Sequence, residues 1–461
     1  MNHEQRPWIV LILLSIAQFM VILDVTVVNV ALPSIGNALH FNPGDLQWVV
    51  TAYVLFTGGL LLLGARAADV LGRRAVFLTG LAVFTTASLA SGLAWSPTAL
   101  IVSRAAQGLG AAMLTPGALS IITATYTGEQ RTKALAAWGA IGGAGAAAGV
   151  VLGGLLTTWL GWESVFFINV PVGMALAVLT LRFVPATPPL SASRWLDLPG
   201  AATVVAGLVL LVYAIEGTSE HGWGSTRTLV PLALSAVLLA AFAAIERRVP
   251  RPLVPPATWR IRSLVSGVTL MFGATGVLVG TFFLNSLYLQ RELDASALET
   301  GLAFLPLTLV IGFGAHVASH LIGRVGTRAL AVAGLGLLAA GAVLLWAAPD
   351  HASYAADLLP GFLVLGLGIG LVFPAASVTT MSHVDHEQAG LASGLMTTGH
   401  EIGAALGVAT FSAVATAGDS FPAGYGNGFL VAAITAAVLA AIAAFAVPAL
   451  RPTGEASFAV H

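Results

Sequence analysis

The sequence predicts an all-α protein that crosses a membrane many times. Two observations carry that class. The 461 residues are 57 % apolar and only 8 % charged, and the mean hydropathy is +0.92. A soluble domain carries about 25 % charge, so this chain could not cover a water-facing surface. The apolar residues also fall in runs of about 20, the length a helix needs to span a bilayer.

Fourteen such runs follow one another, near 8–32, 46–66, 75–95, 98–124, 133–157, 162–184, 196–216, 227–246, 263–289, 299–320, 328–348, 356–381, 389–416 and 427–449. Each is read as a helix, because lipid-exposed backbone must bond within its own segment. The polar lead 1–7 passes directly into the first run, which is too long for a signal-peptide core. There is no Cys, so disulfides and thiolate metal sites are excluded. A net charge of −1 offers nothing to nucleic acid.

Basic residues orient the spans. With the N-terminus in the cytoplasm, sixteen of the nineteen face that side, among them Arg6, Arg66, Arg73, Arg74, Arg194, Arg247, Arg328 and Arg451. Arg227 and Arg291 lie outside and Arg104 lies within a span. Fourteen spans return the C-terminus to the cytoplasm. Lys133 is the one lysine, and with heavy Ala and Gly use this associates with bacterial genomes rich in GC. The expected location is the bacterial inner membrane.

The two longest cytoplasmic links, Pro185–Trp195 and Arg247–Arg262, bracket helices 7 and 8 and leave six on each side. Leu71-Gly72-Arg73-Arg74 after helix 2 is echoed by Val325-Gly326-Thr327-Arg328 after helix 10. The expected plan is a duplicated six-helix bundle, 1–187 and 263–461, around a two-helix insert, 188–262. Sites between such repeats are a recurrent transporter arrangement.

Charge at membrane depth is the next signal. A carboxylate there costs about 2.5–3.5 kcal/mol, so Asp24 in Leu23-Asp24-Val25-Thr26-Val27 needs a reason. It could carry a proton or contact a cationic substrate, or it could be a structural carboxylate satisfied inside the bundle. Arg104, two turns inside helix 4, is the candidate partner, with Gln107 and Gly108 on its face. Along helix 1, Gln18 and Asn29 fall within about 20° of each other and Asp24 about 120° away. Either the acid or the amides face the cavity. Helix 13 holds Thr397, Thr398, His400 and Glu401 on one arc, and an imidazole beside a carboxylate could exchange protons near neutral pH. The alternative is a self-satisfied polar cluster between helices.

Other features weigh less. Gly145, Gly149 and Gly153 share a face of helix 5, and such faces allow close helix approach in membranes. They mean either ordinary packing or a seam that slides as the halves rock. Asp69 could accept hydrogen bonds from a neighbouring helix N-terminus. His316 and His320 lack a third metal ligand, so no metal site is expected. Glu163 and Glu216 lie near helix ends, within reach of water. Trp48, Tyr53, Phe272, Phe282, Phe283 and Phe373 could line an apolar pocket or belong to packing and interface belts.

Several stretches resemble one family. Ala65-Arg66-Ala67-Ala68-Asp69-Val70-Leu71-Gly72-Arg73-Arg74 looks like the loop between helices 2 and 3 of the major facilitator superfamily. Leu23–Pro33, Arg104-Ala105-Ala106-Gln107-Gly108 and the frame Gly145, Gly149, Gly153 and Gly154 resemble the drug:proton antiporter branches. Phe166–Gly173 and Gly390-Leu391-Ala392-Ser393-Gly394 resemble the 14-helix multidrug exporters. The resemblance covers essentially the whole chain. It departs at Ala65, usually Gly, at Val70, often Arg, at Val150, where the antiporter motif has Pro, and at Glu163 and His400-Glu401, where Arg and Arg-Gln are usual.

The resemblance implies proton-coupled efflux of hydrophobic or cationic compounds by a monomer, driven by the proton gradient without a cofactor. Asp24, Arg104, His400 and Glu401 would couple protons, with Arg104 tuning a carboxylate. Asp69, Gly72, Arg73 and Arg74 would gate, and Asn29, Tyr53, Gln107, Phe283 and Thr397 would line the cavity. Partners would be the substrate, protons and lipid. Dedicated export of one metabolite, or a membrane sensor or enzyme, are the alternatives. No nucleotide loop, nucleophile motif or metal set supports an enzyme.

Overall fold

A computed structural model describes residues 7–42, 44–186, 195–349, 352–384, 388–418 and 421–449. Arg6, Arg194, Arg451 and the expected boundary at 187/188 lie outside them. The described residues form fourteen long helices: α1 Pro7–Ala38, α2 Trp48–Leu71, α3 Arg73–Gly92, α4 Pro97–Thr125, α5 Gly128–Leu160, α6 Ser164–Phe183, α7 Leu198–His221, α8 Thr226–Glu246, α9 Arg262–Arg291, α10 Ala297–Val325, α11 Thr327–Trp346, α12 Leu359–Met381, α13 Ala389–Thr416 and α14 Phe421–Ala446. No strand occurs among the described residues.

Helices stand at all fourteen expected runs, and among the described residues twelve are long and apolar enough to cross a membrane. Of the other two, α5 holds the described apolar stretch Ala144–Leu160, and α13 carries His400 and Glu401. Both pack between other helices. The last helix starts six residues before the apolar run, at Phe421, and α6 is interrupted at Ile168.

Helix starts follow their capping residues. Ser96 accepts from Ala99 N at 3.2 Å ahead of Pro97. Ser296 and Glu299 form a reciprocal capping box at α10, the pairing expected where Ser precedes Glu by three.

Helix pairing repeats through the chain. α1 packs on α5, α2 on α4, α3 on α4 and α3 on α6; eight helices later, α9 packs on α13, α10 on α12, α11 on α12 and α11 on α14. The α2–α3 and α10–α11 turns are built alike. Gly72 (φ 97°) and Gly326 (φ 86°) occupy the left-handed region between helices, where a side chain would be strained. Arg74 then donates to Val184 O at 2.9 Å beyond α6, and Arg328 donates to Val447 O at 2.6 Å beyond α14. The sixth helix of each bundle is thus tied by the same arginine of its second turn.

The two bundles meet along α2–α13 and α5–α10. At the end where α1 finishes, Ser286 donates to Asn29 O at 2.8 Å and Gln290 to Val30 O at 2.9 Å. There α5 and α10 also approach so closely that a Cβ on Gly154 would stand 2.6 Å from Leu298 Cα. At the opposite end, Gly390 in the first turn of α13 has nothing within 4 Å of such a Cβ. Helices α7 and α8 pair with each other, and α7 lies against both α2 and α13.

Candidate functional site: a buried ion-pair network and a flanking acid

Three helices of the first bundle converge on Asp24. Arg104 donates to Asp24 Oδ2 at 2.5 Å and to Gln107 Oε1 at 2.7 Å. Gln107 donates to Asp24 Oδ1 at 2.7 Å, and Asn169 of α6 reaches the same oxygen at 2.9 Å. Asn169 also donates to Ser88 at 3.0 Å, whose hydroxyl donates to Phe166 O at 2.9 Å. Asp24, Arg104 and Gln107 are fully buried.

The guanidinium is held on its other sides too. Its Nε donates to Val49 O at 2.9 Å, and its carbon sits 4.3 Å from the Tyr53 ring and 5.7 Å from the Phe166 ring. Both lie in the range of cation–π attraction. Sequence spacing explains part of this: Arg104 and Gln107, three apart on α4, present one face. A buried charge must be paired and hydrogen-bonded, and here the carboxylate receives three donors.

Glu401 lies apart from that network. α2 and α13 cross so closely that a Cβ on Gly58 would fall 2.6 Å from the Glu401 Cβ. Its side chain is 16 % exposed and that of His400 38 %, with His400 Nδ1 and Glu401 Oε1 3.3 Å apart. The His400 ring meets Phe373 of α12 edge-on at 6.1 Å. Tyr53, whose ring lies on Arg104, belongs to α2, the same helix whose Gly58 meets Glu401.

Other expectations need correction or a new location. Asn29 and Phe283 are both buried in this structure. Asn29 donates back to Val25 O at 2.9 Å, and Phe283 lies in an apolar cluster that draws on helices of both bundles. Tyr53 and Gln107 belong to the ion-pair network, because buried polar groups seek one another rather than open space. Thr397 is half-buried and bonds Ser393 O at 3.1 Å.

The glycine face of α5 is not the seam between bundles. Gly145, Gly149 and Gly153 meet Ile22, Thr26 and Val27 of α1, and Gly154 alone of the four faces α10. Asp69 is half-buried and makes no hydrogen bond or ion pair among the described residues. His316 and His320 are exposed, with rings 4.5 Å apart. No group of three metal-ligating residues occurs among the described residues.

Sequence reasoning missed Asn169 and Ser88 as network members. An amide inside the apolar run Phe166-Phe167-Ile168-Asn169-Val170 was the available signal. It also missed that Trp48 donates to Glu216, tying α2 to α7.

Two like-paired six-helix bundles with a two-helix pair beside them, and a buried acid–arginine network inside the first bundle, define a polytopic membrane transporter. The family model of the Major Facilitator Superfamily matches residues 14–408 and 264–459. The chain belongs to this superfamily.

It is 41 % identical over 420 residues to the puromycin resistance protein pur8 of Streptomyces alboniger, covering 90 % of this chain and 82 % of that protein. It is 40 % identical over 438 residues to the cephamycin export protein CmcT of Amycolatopsis lactamdurans, covering 92 % and 89 %. A multidrug resistance protein, Stp, of Mycobacterium tuberculosis is 34 % identical over 418 residues, covering 90 % and 77 %.

Among solved structures, an auto-inhibited POT family peptide transporter superposes with a TM-score of 0.71 at 16 % identity, covering 98 % of this chain and 100 % of that one. The inward-open xylose transporter XylE from E. coli gives 0.67 at 14 % identity, covering 96 % and 97 %. These two likenesses concern the fold.

Proposed function

We propose that this chain exports antibiotics or related hydrophobic and cationic compounds across a bacterial inner membrane, driven by the proton gradient. The observation that carries the reading is the buried set Asp24, Arg104, Gln107 and Asn169. Ionisable groups at membrane depth mark ion pathways. Protonating Asp24 removes the negative charge that pairs with Arg104, so proton binding loosens the hold of α1 on α4. Glu401 and His400, partly exposed, are the second proton-handling pair. The names of the relatives, a resistance protein, an antibiotic exporter and a multidrug resistance protein, support efflux.

With the N-terminus cytoplasmic, the contacts of Asn29 and Val30 with α9 seal the outer face, and substrate enters from the cytoplasm. Residues 1–187 and 263–461 rock about the site, with 188–262 as the insert. Asp69, Gly72, Arg73 and Arg74 gate the cytoplasmic side, and Gly154 slides on α10. The chain works as a monomer, needs no cofactor and is not an enzyme.

Inverted vesicles carrying the chain take up dye or drug when a pH gradient is imposed. Asp24→Asn and Glu401→Gln each uncouple that uptake from the gradient. Coupling intact in both variants overturns the assignment of the acids. A second reading, export of one compound, is favoured by two relatives that carry one antibiotic each in their names. A substrate panel separates the two.

A further inference from the structure

A cavity of about 590 Å³ opens where the turn between α7 and α8 meets the link between α1 and α2. Asp45 of the link, Tyr213 and Glu216 of α7, and Arg227 and Val230 of α8 line it, with His221 at the turn. A cavity of this size suits a small ligand or the headgroup of a larger one. Its polar groups are held from both sides. Glu216 accepts from Trp48 Nε1 of α2, and its Oε1 lies 3.5 Å from where a Cβ on Gly44 would stand. Asp45 accepts from Asn42 Nδ2 at 3.1 Å. Arg227 donates to His221 Nε2 at 2.9 Å. Two carboxylates and one guanidinium therefore share a single cavity.

Its position matches the headgroup layer of a bilayer. The apolar span of α7 stops at Thr218 and that of α8 begins at Thr226, so Glu216, His221 and Arg227 stand at the membrane–water boundary. Trp223 is exposed in the turn between them, the depth at which aromatic side chains gather. Deeper along the helices, Tyr213 and Val230 both line the cavity and are exposed. Leu234 and Val237 continue the exposed apolar face of α8. The cavity is thus charged at its mouth and runs into surfaces that lipid covers.

We propose that this cavity binds a zwitterionic phospholipid with a primary ammonium, of the phosphatidylethanolamine type. The phosphate meets Arg227, whose guanidinium suits phosphate geometry. The ammonium meets Glu216 and Asp45 in charge-assisted hydrogen bonds, and the acyl chains follow the exposed faces of α7 and α8. An anionic headgroup without an amine gains the arginine but is repelled by two carboxylates. A choline headgroup carries the positive charge but has no N–H to donate. The bound lipid joins the α1–α2 link to both insert helices beside the Trp48–Glu216 contact, and so holds the insert on the first bundle. The cytoplasmic N-terminus proposed above sets the leaflet as the outer one; the site itself does not rest on export.

The test is native mass spectrometry of the delipidated full chain titrated in detergent with phosphatidylethanolamine, phosphatidylglycerol or phosphatidylcholine. Phosphatidylethanolamine binds most tightly. Arg227→Gln and Asp45→Asn each weaken it by about tenfold, the loss of one charge-assisted hydrogen bond. Phosphatidylglycerol binding falls with Arg227→Gln but not with Asp45→Asn. Arg227 is exposed, so Arg227→Gln keeps the fold and carries the test if Asp45→Asn does not fold. Equal affinity for the three lipids, or phosphatidylethanolamine binding unchanged by Arg227→Gln, overturns the site. Soluble phosphoethanolamine binding as tightly as the lipid overturns lipid as the occupant. These readouts follow lipid binding, not flux, so their failure and that of the export reading are distinguishable.

Discussion

Arg104 and Asp24 meet at 2.5 Å with side chains 1 % and 0 % exposed. Removing one partner from such a pair leaves a bare charge in a dry interior, which costs about 3–5 kcal/mol. Asp24→Asn and Arg104→Gln should each lower the unfolding temperature in detergent sharply. The double variant should regain much of that stability, because neutral amides can bond each other, while gradient-driven transport stays lost. Additive destabilisation in the double variant would show that the two residues are not coupled.

Asn169 joins this pair to α3, since one amide donates to both Asp24 and Ser88. Asn169→Ala removes a donor from a carboxylate and should cost about 1.5–3 kcal/mol. Ser88→Ala leaves the carboxylate fully bonded and should cost less. Thermal melts of the two variants give the order directly, and the reverse order would contradict the network as described.

Glycine contacts predict a graded series. A Cβ on Gly64 would fall 2.1 Å from Ala112 O, whereas nothing lies within 4 Å of one on Gly336. Gly64→Ala should cost about 1–3 kcal/mol by overpacking, and Gly336→Ala should be neutral. Gly72→Ala and Gly326→Ala should each cost about 1–2 kcal/mol by backbone strain. The two costs should match, since the turns are equivalent. Denaturation of the four variants checks the series.

Helix number and order were legible because each span must satisfy its own backbone in lipid, which imposes long apolar runs. The repeat was visible in two short turns, and the structure extends it to the arginine ties of Arg74 and Arg328. The pairing of Asp24 with Arg104 could be guessed, because each is a costly charge that needs a neutraliser. Gln107 followed from helical spacing. Asn169 did not, since its contact with Asp24 spans 145 positions and no local pattern records the approach of α6 to α1.

By itself, the sequence determined the class, the order of fourteen helices and the short list of expensive polar residues, because lipid penalises composition locally. Only the tertiary structure decided how those residues are divided. Asp24 is enclosed with three donors inside the first bundle, Glu401 is set on the α2–α13 seam, and the α5 glycines are turned toward α1. Such choices depend on which helix faces pack together, and helix packing in a membrane is driven by shape and close contact, which a linear pattern of polarity does not encode.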